Sequence, residues 1–467
     1  MSVQGARPGV RAIVGGRVID PASGHDGVAD VLIANGCVER VGRGAGAGLP
    51  DDTVVHAEGL IVAPGFVDLH VHLREPGRED EETVETGSAA GVRGGFTTVC
   101  CMPNTEPAIA DQETVRFVVD RARAALGKVH PIGAITKDRK GEALAEIAEM
   151  VSAGAVAFSD DGAPVANAGL LRRAMEYARM FDVTLVSHAE TPDLSRDGVM
   201  HEGVVSAKLG LRGMPAISEE ICVARDIALS RLTGCHLHIA HVSTADSVGL
   251  VRAAKGDGVR VTAEVTPHHL ILTDDLIARD FDPLLKVNPP LRTQRDVDAL
   301  RQGLLDGTID CIATDHAPHA EQEKDGEFDL ASFGMTGLET ALGVCHRALI
   351  ETGLLDWPLL VDCMTRRAAA VFGLKAGRIE PGADADIVCF DPNGQWQVTV
   401  QTLASKSKNS PFLGWTLTGV IRATLVDGCM VYQDWSAGVS SPSESDRTRS
   451  SIHRSPVAKS VGSSPRR

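Results

Sequence analysis

No apolar run in this 467-residue chain approaches the ~20 residues that a membrane-spanning helix needs. The opening residues, MSVQGARPGVRAIVGG, lack the apolar stretch and cleavage site of a secretory leader. The expectation is therefore a cytoplasmic protein with no membrane partner. No CxxC pair occurs among the ten cysteines, most of which sit in apolar runs; they read as buried, reduced thiols. Cys311, near a strand end, is the one thiol close to chemistry, and core packing is its expected role as well. No glycine-rich dinucleotide fingerprint follows any strand candidate, and Gly91, Gly94 and Gly95 close a helix instead. Positive charge is also scarce. The formal net charge of −16 argues against general nucleic-acid binding. It divides into +4 over residues 436–467 and −20 over the rest.

What is present is length and alternation. A chain of this size accommodates a barrel of ~250 residues and an accessory domain. Residues 1–63 and 375–435 share a texture of short alternating strands with Gly and Asn at the turns, so both chain ends are expected to build one small β-sandwich. The middle, 64–374, alternates strands with helices. Strand candidates fall at 65–73, 96–102, 128–135, 155–160, 183–188, 236–242, 259–265 and 309–315. Eight is the number that closes a parallel barrel, so the expected fold class is α/β, a (β/α)8 TIM-type barrel. The helix SEEICVARDIALSRL is expected to start on a capping Ser218. Residues 436–467 are Ser-, Arg- and Pro-rich and read as a disordered tail.

The chemistry starts at PGFVDLHVHLREPG (64–77). Val67, Leu69, Val71 and Leu73 alternate with Asp68, His70, His72 and Arg74. Alternation of this kind gives a strand one apolar face and one ionisable face, with two imidazoles spaced to aim at one point. A barrel's active site lies where its strands end. His70 and His72 close the first strand, Asp160 and Asp161 ride the turn after the fourth, His188 ends the fifth, His241 the sixth and Asp315 the eighth. Imidazoles and carboxylates in this number suit Zn²⁺, with Mn²⁺, Fe²⁺ or Co²⁺ as alternatives. Six ligands exceed one tetrahedral site, so two ions sharing a carboxylate are expected.

These motifs, with GGFTTVCCMPNT, SHAE, EVTPHHL, VNPPLR, ATDHAPH and FGMTGLETAL, resemble the amidohydrolase superfamily and, within it, class I dihydroorotases. The resemblance runs to about residue 434. It implies that His70 and His72 bind one ion with Asp315, that His188 and His241 bind the other, and that an acidic residue bridges them. Many relatives bridge with a carbamylated lysine. AFSDDG contains no lysine and resembles the branch that uses an aspartate, which points to Asp161. His72, Arg74, Asn104 and His319 would hold the substrate and its α-carboxylate, with Asn288, Phe333 and Gly334 against the ring. The implied reaction is the reversible cyclisation of N-carbamoyl-L-aspartate to (S)-dihydroorotate in pyrimidine synthesis. A hydroxide held between the ions would attack, and Asp315 would serve as general base and then acid.

The resemblance also admits an allantoinase- or hydantoinase-type cyclic amidohydrolase. A metal-free scaffold of aspartate transcarbamoylase is a further reading, set against the presence of every expected ligand. A homodimer, and association with that transcarbamoylase, are the expected protein partners. His268 and His269 would line the mouth without binding an ion. His56, His130, His236, His238 and His346 read as packing or surface residues. The charged segment 316–334 reads as a mobile lid.

Overall fold

The computed structural model describes residues 9–436. The tail expected to be disordered lies outside them, apart from its first residue. Eight parallel strands run in sequential order round a barrel: β1 (Phe66–Val71), β2 (Phe96–Cys101), β3 (Lys128–Gly133), β4 (Ala157–Ser159), β5 (Thr184–Ser187), β6 (Leu237–Ile239), β7 (Val261–Val265) and β8 (Cys311–Ile312). The circle closes where Val71 bridges His316 and the His72 N–H donates to the His316 carbonyl at 2.8 Å. All eight candidates form strands, each shorter than its candidate stretch.

Alternation sorts the side chains into two layers. Leu237, Ile239, Val261, Ala263 and Val265 face outward and pack with Val248 and Val251 of the helix Ala245–Gly256. Val67, Leu69, Cys100, Ile132 and Cys311 fill the interior, together with Ala368 and Val371 of the helix Arg366–Val371. β1 departs from the strict alternation of its sequence. Its ladder to β2 slips between Asp68 and Val71. Val67 and Leu69 therefore lie inside the barrel, whereas Val71 and Leu73 join the strand–helix layer. The slip lets an apolar plug and the two histidines occupy successive levels of one interior.

The chain ends do combine. Ala12–Asp20, His25–Ala34, Cys37–Gly42, Val54–His56 and Ile61–Pro64 join Ile387–Gln397, Thr416–Val426 and Cys429–Gln433 in one hydrogen-bonded sheet of eight. The sheet is continuous and carries its own core of Ile13, Val31, Leu60, Ile387 and Leu425. Its Ile61–Pro64 strand pairs with Ile387–Phe390 and leads directly into β1.

Ser218 is not a helix cap. The helix Ile217–Thr233 begins after Ala216 without a capping side chain, and Ser218 instead exchanges hydrogen bonds with the N–H and carbonyl of Thr191, both at 3.0 Å. The segment expected to be a mobile lid is tied down. It contains the short helix Glu321–Lys324, and the buried Lys324 Nζ donates to the carbonyls of Pro283 (3.1 Å), Lys286 (3.1 Å) and Ser332 (2.6 Å). Three acceptors match the three donors of an ammonium. Amide exchange across 320–334 is accordingly expected to be slow, and Lys324→Met should accelerate it and lower the thermal midpoint by a few degrees. Fast exchange in the unmutated protein would restore the lid.

Candidate metal and substrate site

The strand ends bring the predicted residues into one buried cluster. His70 Nε2 lies 3.3 Å from Asp161 Oδ1 and 3.5 Å from Asp315 Oδ1. His72 Nε2 lies 3.0 Å from Asp315 Oδ1 and 3.8 Å from Asp161 Oδ2. The His241 ring sits 5.0 Å from that of His70 and 4.7 Å from that of His188, centre to centre. Two overlapping donor groups result, His70–Asp161–His241 and His70–His72–Asp315. His188 stands beside the first of them, against His241. Arg74, His241 and Asp315 all have positive φ, 60°, 28° and 48°, a backbone conformation unfavourable for such side chains and concentrated at functional sites.

Asp160 and Asp161 separate cleanly. Asp160 turns away and accepts from the backbone N–H groups of Ile135 (2.8 Å) and Thr136 (3.0 Å). Asp161 faces the imidazoles. Burial pulls the His241 pKa down to about 3, helped by His188 and His70, and burial lowers that of His72 as well. Both rings are thus held neutral. Burial works against ionisation of Asp161 and Asp315, but the surrounding imidazoles outweigh it and hold both below the ordinary carboxylate range. His70 is drawn the opposite way: burial lowers it, and Asp161 and Asp315 more than compensate. A proton and a cation therefore compete for its Nε2.

The donor set fits a divalent ion. His70 Nε2, Asp161 Oδ1 and His188 Nδ1 are buried without a hydrogen-bond partner among the described residues. Buried polar atoms are rarely left unpaired, and His70 Nε2 and Asp161 Oδ1, 3.3 Å apart, mark a place for a cation.

Around this cluster lie the expected substrate residues. Arg74 Nε pairs with Glu81 Oε2 at 2.9 Å and donates to the Pro318 carbonyl at 3.1 Å, while Nη2 lies 3.3 Å from His319 Nε2. His319 Nε2 donates to the Phe333 carbonyl at 2.7 Å. Asn104 accepts from His72 Nδ1 (2.8 Å) and donates to Asp161 Oδ2 (3.3 Å), so it braces the cluster itself. The Asn288 amide donates to Glu190 (2.9 Å), and the Gly334 N–H to the Lys286 carbonyl (2.9 Å). His268 and His269 are buried beside each other; His269 is held by Thr266 and the Pro289 carbonyl, and His268 Nε2 has no hydrogen-bond partner among the described residues.

Sequence reasoning missed Glu81 and Glu264. Glu81 is buried against Arg74. Glu264 accepts from His70 Nδ1 at 2.8 Å and from His238 Nε2 at 3.0 Å, which removes His238 from the packing class. A carboxylate within a short apolar barrel strand, as in VTAEV, was the available signal.

The fold and its donor cluster define a barrel of the cyclic-amide hydrolase type. A family model described as Dihydro-orotase-like matches residues 59–247. A dihydroorotase of Pelotomaculum thermopropionicum is 53% identical over 422 residues, covering 90% of this chain and 98% of its own length. One of Geobacter sp. (strain M21) is 49% identical over 423 residues, covering 90% and 99%. Among solved structures, the L-hydantoinase of Arthrobacter aurescens superposes with a TM-score of 0.80 at 26% identity, over 91% of this chain and 96% of its own. The chain belongs to the dihydroorotase family.

Proposed function

We propose that the protein interconverts N-carbamoyl-L-aspartate and (S)-dihydroorotate with two divalent cations, preferably Zn²⁺, held by His70, His72, Asp161, His188, His241 and Asp315. The observation that carries the reading is a carboxylate-matched pair, Arg74 and His319, set beside the imidazole–carboxylate cluster. Bound cations would supply an activated water and a polarised ring carbonyl. The remaining work belongs to the side chains. Arg74 presents a planar fork suited to the substrate carboxylate, with His319 beside it. Asp315 is ionised, so in hydrolysis it takes the proton released as water adds to the ring carbonyl. The carbon–nitrogen bond then breaks, and Asp315 passes that proton to the leaving nitrogen. Ring closure runs the same transfers backwards. Asn104 keeps His72 and Asp161 in register throughout.

The test is an assay of the purified protein on dihydroorotate, with allantoin and hydantoin in parallel. Turnover is expected on dihydroorotate, and comparable or faster turnover of the two carboxylate-free ureides would overturn the reading.

A further inference from the structure

The interiors of parallel barrels are filled mainly by branched apolar side chains. Here β6 and β7 break that rule together. The register pairs His238 with Thr262, and the inward positions read His236 and His238 on one side, Thr262 and Glu264 on the other. They interlock as a polar ladder. Glu264 Oε1 lies 2.8 Å from His70 Nδ1, and Oε2 lies 3.0 Å from His238 Nε2. His238 Nδ1 lies 2.8 Å from Thr262 Oγ1, which lies 3.0 Å from His236 Nε2. His236 Nδ1 lies 2.9 Å from Thr184 Oγ1, at the first residue of β5 and thus at the barrel floor. A cavity lined by His236, Thr262, Asp310 and Arg367 opens beside this end.

Donor–acceptor logic fixes the direction of the bonds. Glu264 Oε1 also accepts from the His241 backbone N–H at 3.3 Å, so it acts as an acceptor. Both imidazoles then donate to Glu264. His238 carries its proton on Nε2, and its Nδ1 must accept. Thr262 has one hydroxyl proton and gives it to His238, so His236 donates to Thr262 through Nε2. Every bond from Thr262 upward points toward Glu264. At the top, His70 carries a proton on Nδ1, and its Nε2, which faces Asp161 and Asp315, is the atom where a cation would take the place of a second proton. Cys311 Sγ lies within 4.8 Å of the Glu264 and His238 donor atoms. Both His238 nitrogens and both Glu264 oxygens are already hydrogen-bonded, so the thiol packs and does not ligate.

We infer that Glu264 is a positioning residue that fixes His70 in its cation-binding tautomer, and that the ladder through His238 and Thr262 lets the barrel floor set how tightly the mouth retains a divalent ion. The inference rests on the reading of His70 as a ligand. Carboxylates that orient a ligating imidazole typically contribute 10–100-fold to cation affinity. Cutting the ladder one bond further away should have a smaller effect in the same direction.

The experiment measures Zn²⁺ affinity of the chelator-stripped protein by competition with a chromophoric chelator, with the thermal midpoint of the stripped protein recorded alongside. Glu264→Gln keeps the shape but brings an amide donor against one of the two imidazoles. It is expected to weaken Zn²⁺ binding by at least ~10-fold. Thr262→Val removes only the hydroxyl that orients His238 and is expected to weaken it by a few-fold, with the stripped protein's midpoint falling no more than for a control Thr→Val at a half-buried site. Should Glu264→Gln not fold, Thr262→Val and His238→Asn read the same expectation. Unchanged Zn²⁺ affinity in Glu264→Gln would overturn the positioning role, and unchanged affinity in Thr262→Val would overturn the link to the floor. His70→Ala identifies the other failure: if it binds two Zn²⁺ ions as the unmutated protein does, the ligand reading itself is wrong.

Discussion

Asp161→Ala is expected to lose cations and nearly all turnover while melting close to the unmutated protein, and Asp160→Ala is expected to suffer chiefly in stability. The two residues are neighbours in sequence and opposite in use. Asp160 satisfies two backbone N–H groups at the end of β3 and the hydroxyl of the buried Thr136. Without it those donors are left buried, at ~1–3 kcal/mol each. Asp161 Oδ1 has no hydrogen-bond partner among the described residues and stands 3.3 Å from His70 Nε2. Removing it frees only the Asn104 amide, a part-buried donor 3.3 Å from Asp161 Oδ2, and takes away a charge that a cation needs. Elemental analysis and calorimetry on both variants decide the matter. Full two-ion occupancy in Asp161→Ala would remove it from the ligand set, and loss of cations with an intact midpoint in Asp160→Ala would exchange the two roles.

The turn at 160–161 also shows what the sequence could and could not reveal. That an aspartate there meets His70, His72 and His241 was legible, because strand ends in a barrel converge and eight strand candidates could be counted along the middle of the chain. Which of the two carboxylates faces inward follows from a half-turn of backbone, and no pattern in SDDG determines it. His238 illustrates a different limit. One histidine in HLHIAHV looks like packing until β6 is paired with β7, and only then does Glu264 appear opposite it. Pairing between strands more than 20 residues apart is tertiary information. The slip in β1 belongs to the same category, since it depends on how β2 seats against Asp68. The segment at 316–334 holds a contact that its composition hides as well: its charge suggested solvent, but Lys324 is buried and its Nζ donates to carbonyls from elsewhere in the chain. Glu81 likewise sits in a run, REDEE, that reads as a solvated face, and it is buried because Arg74 gives it a partner.

That partnership shapes the result expected at Arg74. Arg74→Lys should lower kcat/KM for dihydroorotate by at least ~10-fold with cation content and thermal midpoint intact. A charged hydrogen bond is worth ~1.5–3 kcal/mol, one to two decades in rate. Lysine keeps the positive charge beside Glu81 but not the planar fork that carboxylate recognition uses. The guanidinium is anchored through Nε by Glu81 and the Pro318 carbonyl, leaving Nη2 at the His319 edge, where a substrate carboxylate would arrive. Arg74→Met should fall further and should also melt earlier, because Glu81 loses its nearest cation in a buried place. The left-handed backbone at this position is common to all three proteins, so it cancels from the comparison. Hydrolysis of a carboxylate-free cyclic ureide, where any is measurable, should change far less than hydrolysis of dihydroorotate. That split separates loss of a substrate contact from general damage to the site. Unaltered kcat/KM for dihydroorotate in Arg74→Lys would mean the carboxylate is held elsewhere, and a broader cyclic-amidase specificity would then follow from the same barrel.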